Sequence, residues 1–334
     1  MPNFENFDFA KNYNKQSAGI NIYCRPRLGN DGNTGKTPAA AVKTLAKALS
    51  LATANQNDTV YLMAEGNSAA NTTDYQSTTL NWNKDGVHLI GVQAGQRLSH
   101  RARVGLISTY DTASNLFTLS ANGCLIQNIE FFAGVAGTSP TGCMTVTGMR
   151  NHIKNCHIAG IGNDANDIAS ASSLYIWGNA SENYFEECVI GCDTISRGSA
   201  ASIYEINMLS ATGTTPASTF GPLKPARNIF KGCYIIGLAG SASQYFFLRV
   251  GSGGADRFVM FDDCAFINAA TKVGGGASPA FAFSIATDAN GVVVLKNTTV
   301  VGCDEIADNP GNVWSDMGLP TAADAGKMVV VTKS

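Results

Sequence analysis

A ten-residue segment, NHIKNCHIAG at residues 151–160, recurs in modified form from the middle of the sequence almost to its end. The other five copies begin at residues 122, 182, 227, 257 and 291 and read NGCLIQNIEFFAG, ENYFEECVIG, RNIFKGCYIIG, RFVMFDDCAFIN and GVVVLKNTTVVG. When the copies are aligned on Cys156, their spacing varies from 27 residues (129 to 156) to 45 residues (188 to 233). Such periods indicate stacked repeats, and the variable spacing favours a solenoid whose loops can lengthen.

The aligned copies contain three columns that are apolar at every position but one, Thr298. The columns are Ile126, Ile153, Phe185, Phe230, Phe261 and Leu295; then Ile129, Cys156, Cys188, Cys233, Cys264 and Thr298; then Phe131, Ile158, Ile190, Ile235, Phe266 and Val300. Mostly polar residues lie between the first two columns. This alternation predicts strands with one buried face and a bend inside each copy. A second alternating segment, such as SLYIWG from Ser173, precedes each copy, so each turn should contain that strand followed by the repeated unit.

These patterns predict an all-β protein with one elongated domain, because a stacked coil grows without a second core. Thr37 and Pro38 are suited to the start of a helix, and a helix there would cover the open end of the coil. The predicted segments are an N-terminal arm at 1–23, a capping segment at 24–56 with a helix at about 37–54, a β-helix at 57–303, and a C-terminal cap or inter-subunit tail at 304–334.

The opening NDGNTGKTPAAAVKTLAKAL, the following NDTVYLMAEG and the turn IKNCHIAG resemble the pectate-lyase-like family of single-stranded right-handed parallel β-helices. The resemblance covers about residues 30–302. It implies that fold. It also implies that Asn128, Asn155 and Asn297 occupy bends where side-chain amides form a ladder of hydrogen bonds along the stack. Glu187, Gly232 and Asp263 interrupt this ladder. Within the family, the combination of arm, cap, coil and tail is similar to bacteriophage virion proteins, which are often trimers.

Charge and composition limit the expected partners. Charged residues make up 14% of the chain and the formal net charge is −2, which argues against nucleic acid or an anionic membrane as a partner. No signal peptide or membrane span is recognisable, so we expect a protein made in the host cytoplasm. The resemblance to virion proteins implies that it is located in a virion. The nine cysteines are expected to be mostly reduced core residues.

Two interpretations remain for the acidic residues in the repeat. Glycan hydrolysis needs two carboxylates about 5 to 10 Å apart, and Glu186 and Glu187 could meet Asp262 and Asp263 two turns away. The same column also alternates in charge, which favours a ladder of ion pairs. Its members are Lys154, Glu186, Lys231, Asp262 and Lys296. We therefore expect no catalytic residue, with Glu186, Asp262 and Asp263 as the alternative.

No cofactor or metal site is expected from the sequence. GNDGNTGKT resembles a phosphate-binding loop, but Asn30 stands where that motif requires glycine, and the histidines lack the spacing of zinc ligands. Tyr175 and Trp177 share one face of a strand. We expect Leu174 and Ile176 to point inward, which leaves the two rings outside to contact a neighbouring subunit or a sugar.

The predicted function is that of a non-catalytic virion protein, a homotrimer that decorates or stabilises a capsid and attaches to capsid or tail proteins through residues 1–23. The competing predictions are a glycan-cleaving tailspike or depolymerase, acting as a polysaccharide lyase or hydrolase, and a lectin-like adhesin that binds a surface glycan without cleaving it.

Overall fold

The computed structural model describes residues 19–66, 72–93, 97–107, 115–136, 142–198, 202–211, 224–268, 270 and 277–316. The first thirteen strands are β1 (Asn21–Cys24), β2 (Thr59–Met63), β3 (Thr73–Gln76), β4 (Leu80–Trp82), β5 (His88–Val92), β6 (Arg103–Leu106), β7 (Asn115–Leu119), β8 (Leu125–Gln127), β9 (Glu130–Ala133), β10 (Gly142–Val146), β11 (His152–Lys154), β12 (His157–Ile161) and β13 (Ser172–Trp177). The remaining strands are β14 (Tyr184–Glu186), β15 (Val189–Arg197), β16 (Ile203–Leu209), β17 (Ala226–Lys231), β18 (Tyr234–Ala239), β19 (Tyr245–Val250), β20 (Asp256–Asp262), β21 (Ala265–Asn268), β22 (Phe281–Ile285), β23 (Asn290–Lys296), β24 (Thr299–Val301), β25 (Glu305–Ala307) and β26 (Val313–Ser315).

The strands form three parallel sheets that wrap around one core. Sheet A runs β1-β2-β5-β8-β11-β14-β17-β20-β23-β26, sheet B runs β3-β6-β9-β12-β15-β18-β21-β24, and sheet C runs β4-β7-β10-β13-β16-β19-β22-β25. The chain visits A, B and C in that order in each of eight complete turns. The predicted right-handed parallel β-helix is confirmed, and each repeated unit forms one strand of sheet A and one of sheet B.

The corner between sheets A and B is made by a residue in the left-handed conformation. These residues are Asn128, Asn155, Glu187, Gly232, Asp263 and Asn297, with φ from 46° to 62°. Asparagine, aspartate and glycine adopt this conformation more readily than other residues, which explains the column that they share. Asn155 Nδ2 also donates to Asn128 Oδ1 on the previous turn, at 2.8 Å.

The next inward position after this corner is held by cysteine in four successive turns. Each thiol lies within 3.4–3.5 Å of a sheet A carbonyl on the previous turn, as Cys156 Sγ does with Ile126 O. Thr298 Oγ1 makes the same contact with Phe261 O at 2.9 Å. Thr298 therefore fits the column despite its hydroxyl, because the hydroxyl is satisfied where it is buried. All nine cysteines are free and buried.

A second ladder lies at the start of sheet A and was not predicted. Asn151, Asn183 and Asn228 are fully buried. Asn183 Oδ1 accepts from Asn151 N at 3.0 Å, and Asn228 Oδ1 accepts from Asn183 N at 3.1 Å. Their Nδ2 groups donate to carbonyl oxygens of the preceding turns. These side chains satisfy backbone groups that the bend removes from the sheets.

The helix predicted at about 37–54 is wrong in extent. The structure contains a 3-10 helix at Pro38–Ala40, for which Thr37 is the N-cap, and a separate helix α1 at Leu45–Leu51. Between them the chain is extended, because Val42 pairs with Cys24 as an isolated parallel bridge. Thr44 Oγ1 then accepts from Lys47 N and starts α1. Leu45 and Leu49 are buried against the end of the core, so the capping role of this segment is retained.

The predicted limits of the coil also need correction. Strand β1 lies inside the predicted arm, and β25 and β26 lie inside the predicted tail, so the sheets run from Asn21 to Ser315. Weak apolar alternation after Gly302 concealed the last two strands, although Ile306 and Val313 are buried in them. Residues 1–18 of the arm and 317–334 of the tail lie outside the described residues.

Glu187 has a longer side chain than the other corner residues, and glutamate does not favour the left-handed conformation as asparagine, aspartate and glycine do. We expect Glu187→Asn to raise the free energy of unfolding by about 1 kcal/mol, because asparagine tolerates positive φ better. Chemical denaturation measures the change. The matched control is Asn155→Glu, which should lower stability and also lose the bond to Asn128. A destabilised Glu187→Asn would contradict this account of the corner.

Candidate functional site

The outer face of sheet A carries the alternating charges that the sequence indicates. Lys154 Nζ lies 3.1 Å from Glu186 Oε2, Lys231 Nζ lies 2.8 Å from Asp262 Oδ2, and Lys296 Nζ lies 3.3 Å from Asp262 Oδ1. Strand register places Glu186, Lys231 and Asp262 side by side on three successive turns. The column is therefore a ladder of ion pairs.

Two of the carboxylates considered for catalysis, those of Glu186 and Asp263, are stabilised in the ionised form by neighbouring side chains. Burial opposes ionisation of Glu186, but hydrogen bonds from Lys154 and His152 outweigh it and lower its pKa. A hydrogen bond from Lys231, with another from Asn297, lowers the pKa of Asp263. A general acid in glycan hydrolysis needs a raised pKa instead. Glu187, the other residue considered, forms an exposed corner.

The outer face of sheet C carries the two aromatic rings. Leu174 and Ile176 are fully buried, Tyr175 is half-buried and Trp177 is 48% exposed, so the predicted orientation of this strand is confirmed. The Tyr175 hydroxyl donates to Ser170 O, and Trp177 Nε1 donates to Ser210 O at 3.2 Å. Because these polar groups are already bonded, the rings can offer mainly their faces to a ligand.

These rings border a groove of about 350 Å³ on sheet C. Its described lining consists of hydroxyl, amide and apolar side chains: Asn115, Thr118, Thr145, Thr147, Tyr175, Trp177 and Leu209. Thr118, Thr145 and Tyr175 lie in register on successive turns, so groups recur at about the 4.8 Å strand spacing. This arrangement can bind a chain with apolar faces and hydroxyl groups.

A charged cluster lies inside the coil, where the sequence gave no indication of one. Glu205 and Arg197 are buried, and Arg197 Nη1 lies 3.1 Å from Glu205 Oε2. Tyr245 donates to Glu205 Oε1 at 3.1 Å, and Ser173 donates to the other oxygen. Burial raises the pKa of Glu205, and Arg197 opposes that effect. The internal position of Glu205 keeps it from any surface polymer.

Glycines on sheet B leave room for this cluster. A Cβ at Gly237 would lie 1.7 Å from the Tyr245 hydroxyl, one at Gly160 would lie 2.1 Å from Ser173 Oγ, and one at Gly191 would lie 2.8 Å from Glu205 Oε2. The three glycines occur in the sheet B strands of three consecutive turns. Their recurrence in HIAGI, VIGC and YIIG was the signal in the sequence that could have revealed a close approach.

The fold is shared with several polysaccharide-active proteins. A rhamnogalacturonan lyase matches with a TM-score of 0.57 and 14% identity over 86% of this chain and 70% of its own. Pectate lyase Pel9A matches with a TM-score of 0.51 and 13% identity over 90% and 74%. A pectin methylesterase in complex with a hexasaccharide matches with a TM-score of 0.51 and 11% identity over 89% and 80%. No family profile and no curated protein matches the sequence. At these identities the likeness shows the parallel β-helix fold alone.

Residues 97–102 cross the outer face of sheet B and bury two histidines. Ser99 N donates to His157 Nδ1 at 3.2 Å, and His157 Nε2 lies 3.2 Å from Gly191 O. His100 Nδ1 lies 2.7 Å from Gln93 Nε2. Burial lowers the pKa of His157 and of His100 to about 4 each. Both rings are therefore neutral at pH 7 and act as packed hydrogen-bonding groups.

Metal binding finds no support in the described ranges. They contain no group of three or more histidine, cysteine, aspartate or glutamate side chains arranged to hold an ion. Asp164 begins a 3-10 helix, and Asp167 Oδ1 accepts from Gly198 N at 2.9 Å. None of the described helices has the length and apolar character needed to span a bilayer.

The buried His157 should make stability fall on acidification. The unfolded chain binds a proton near pH 6.5 while the folded chain does so only near 4, so stability is lost as the pH falls through this window. Between pH 7 and 4, wild type should lose up to about 3 kcal/mol more than His157→Gln. Denaturation at several pH values measures the difference.

Asp74 contributes a slope of the opposite sign, because burial raises its pKa to about 7. That contribution is common to both proteins and cancels in the comparison. Identical pH dependence of wild type and His157→Gln would contradict the assignment of His157 as a buried neutral ring.

Proposed function

We propose that this protein is a non-catalytic structural component of a virion surface, a homotrimeric β-helix that decorates or stabilises a capsid. The observation that carries the proposal is the pairing of the repeat's acidic side chains. Lys231 contacts both Asp262 and Asp263, and Lys154 and His152 both contact Glu186. Carboxylates held in this way hold the stacked turns together, and they are poorly placed to transfer protons to a polymer.

A glycan-cleaving enzyme is the competing function. The structural neighbours are named as a rhamnogalacturonan lyase, a pectate lyase and a pectin methylesterase, and Glu186 and Asp262 lie two turns apart, at about 10 Å. That separation suits an inverting hydrolase, but both carboxylates lie beside lysine ammonium groups on adjacent turns. A cleaving enzyme would therefore have to break the ladder before either carboxylate could act as an acid.

Glycan binding without cleavage is the second candidate, and the exposed Trp177 favours it. An aromatic face can pack against the apolar face of a sugar ring, while threonine hydroxyls on adjacent turns can bond its hydroxyl groups. A neighbouring subunit could use the same groove, which would agree with a trimer.

A panel of capsular and O-antigen polysaccharides separates these functions. We expect neither reducing sugar nor unsaturated product from any member, because lysine and histidine side chains already bind the candidate carboxylates. Turnover that Glu186→Gln or Asp262→Asn abolishes would overturn the structural proposal. Saturable binding that Trp177→Ala weakens at least tenfold, about 1.4 kcal/mol, would establish the adhesin function. Lys36→Ala, at an exposed position of the capping segment, is the surface control.

Attachment through the arm needs a deletion that respects the fold. Removing residues 1–23 would remove most of β1, so the appropriate deletion is 1–18. We expect the shortened protein to keep its folded coil and to fail to co-sediment with particles. Wild-type incorporation of the shortened protein would remove the attachment role from the arm. A lowered melting temperature would show that residues 1–18 also stabilise the coil.

A further inference from the structure

A second groove, of about 250 Å³, lies on the outer face of sheet B across the first three turns. Its walls include Thr73, Tyr75, Arg103, Phe132 and Val135, and Gly105 lies between them. Tyr75, Gly105 and Phe132 are in register on β3, β6 and β9. Two aromatic residues are therefore two turns apart, about 10 Å, and the position between them has no side chain.

The groove is held open by the way Phe132 packs. A Cβ at Gly134 would lie 2.0 Å from this ring, and one at Gly162 would lie 2.7 Å from it. The ring therefore lies over these two glycines. At the other end, Tyr75 is 47% exposed. An aromatic ring that enters the groove could contact the Tyr75 side chain and lie over Gly105.

The groove is bordered by positive charge. The Arg103 guanidinium lies 5.2 Å from the Phe132 ring centroid, and its Nη2 lies 2.8 Å from Glu130 Oε1. Arg101 is also close enough to lower the pKa of Glu130, although burial raises that pKa overall. Two arginines thus surround one buried carboxylate, which leaves this end of the groove with an excess of positive charge.

Size and charge define what would fit. A volume of about 250 Å³ is below the range typical of drug-sized ligands, and it suits one or two aromatic side chains. The N-terminal sequence FENFDF, residues 4–9, contains three phenylalanines and two acidic residues. We propose that this segment docks on the sheet B groove of its own chain, with a phenylalanine over Gly105 and its acidic residues near Arg101 and Arg103.

The length of the chain permits this contact. Phe9 and Gly19 are ten positions apart (19 − 9), and the chain between them spans up to about 33 Å when extended. To reach the groove, the segment must cross sheet A along the length of a strand, which is about 16 Å for the five residues of β2. It must also rise about two turns. The sheet C groove is a poorer partner, because its described lining has no arginine or lysine. The inference concerns the free protein and does not depend on how it is incorporated into a particle.

Photo-crosslinking of the full-length protein tests the contact. With p-benzoylphenylalanine in place of Phe7, we expect crosslinks within one chain to the peptides that contain residues 73–75, 103–106 and 132–135. Tyr75→Ala, at an exposed position, should reduce their yield by about tenfold because one aromatic wall is lost. Trp177→Ala, on sheet C, should leave the yield unchanged.

Three results would overturn the proposal. They are crosslinks to the sheet C groove, the absence of crosslinks to the coil, and crosslinks that join different copies in a mixture of isotopically labelled and unlabelled protein. High salt provides an independent check, because attraction between the acidic residues and the arginines is screened. Yields that do not change between low and high salt would contradict the assigned role of Arg101 and Arg103.

Discussion

The fixed register between successive turns determines most of this structure. Parallel strands pair residue by residue at about 4.8 Å, so a side chain meets the equivalent side chain above and below it. The rings of Phe185, Phe230 and Phe261 stack in this way, with centroids 4.5 and 4.7 Å apart. On the outside, the same register turns alternating lysine and acid into a ladder. A side chain that packs well against its own kind, such as phenylalanine, is therefore stabilised at every turn. The same holds for a charged side chain that meets the opposite charge on the next turn.

The parts of the fold that depend on register could be predicted from the sequence. Aligned columns located sheets A and B, the bend between them and the inward direction of Leu174 and Ile176, because each of these repeats. The asparagines at 151, 183 and 228 were in the sequence as well. The apolar columns did not predict the ladder of these asparagines. Its buried hydrogen bonds join backbone groups at the start of sheet A, at the opposite end of the strand from the corner with sheet B.

Features that do not repeat could not be predicted in this way. Arg197 meets Glu205 because the register of β15 shifts between Cys192 and Arg197, and no period in the sequence encodes that irregularity. Ser99 meets His157 because residues 97–102 cross sheet B, which places residues 58 positions apart (157 − 99) in contact. The helix was predicted too long because its apolar spacing includes Val42, which instead pairs with Cys24.

The same contrast indicates where function should be sought on a stacked coil. A column that is complete satisfies its own groups and offers a partner little more than a regular surface. Each of the two grooves lies where the residue type changes along an outward-facing column. Trp177 projects from a face that is otherwise threonine and tyrosine, and Gly105 interrupts a pair of aromatic residues. At each groove, neighbouring turns lose side-chain packing that an uninterrupted column would provide. A partner that supplies the missing side chain or ring restores that packing, so the energy for recognition comes from the same register that holds the turns together.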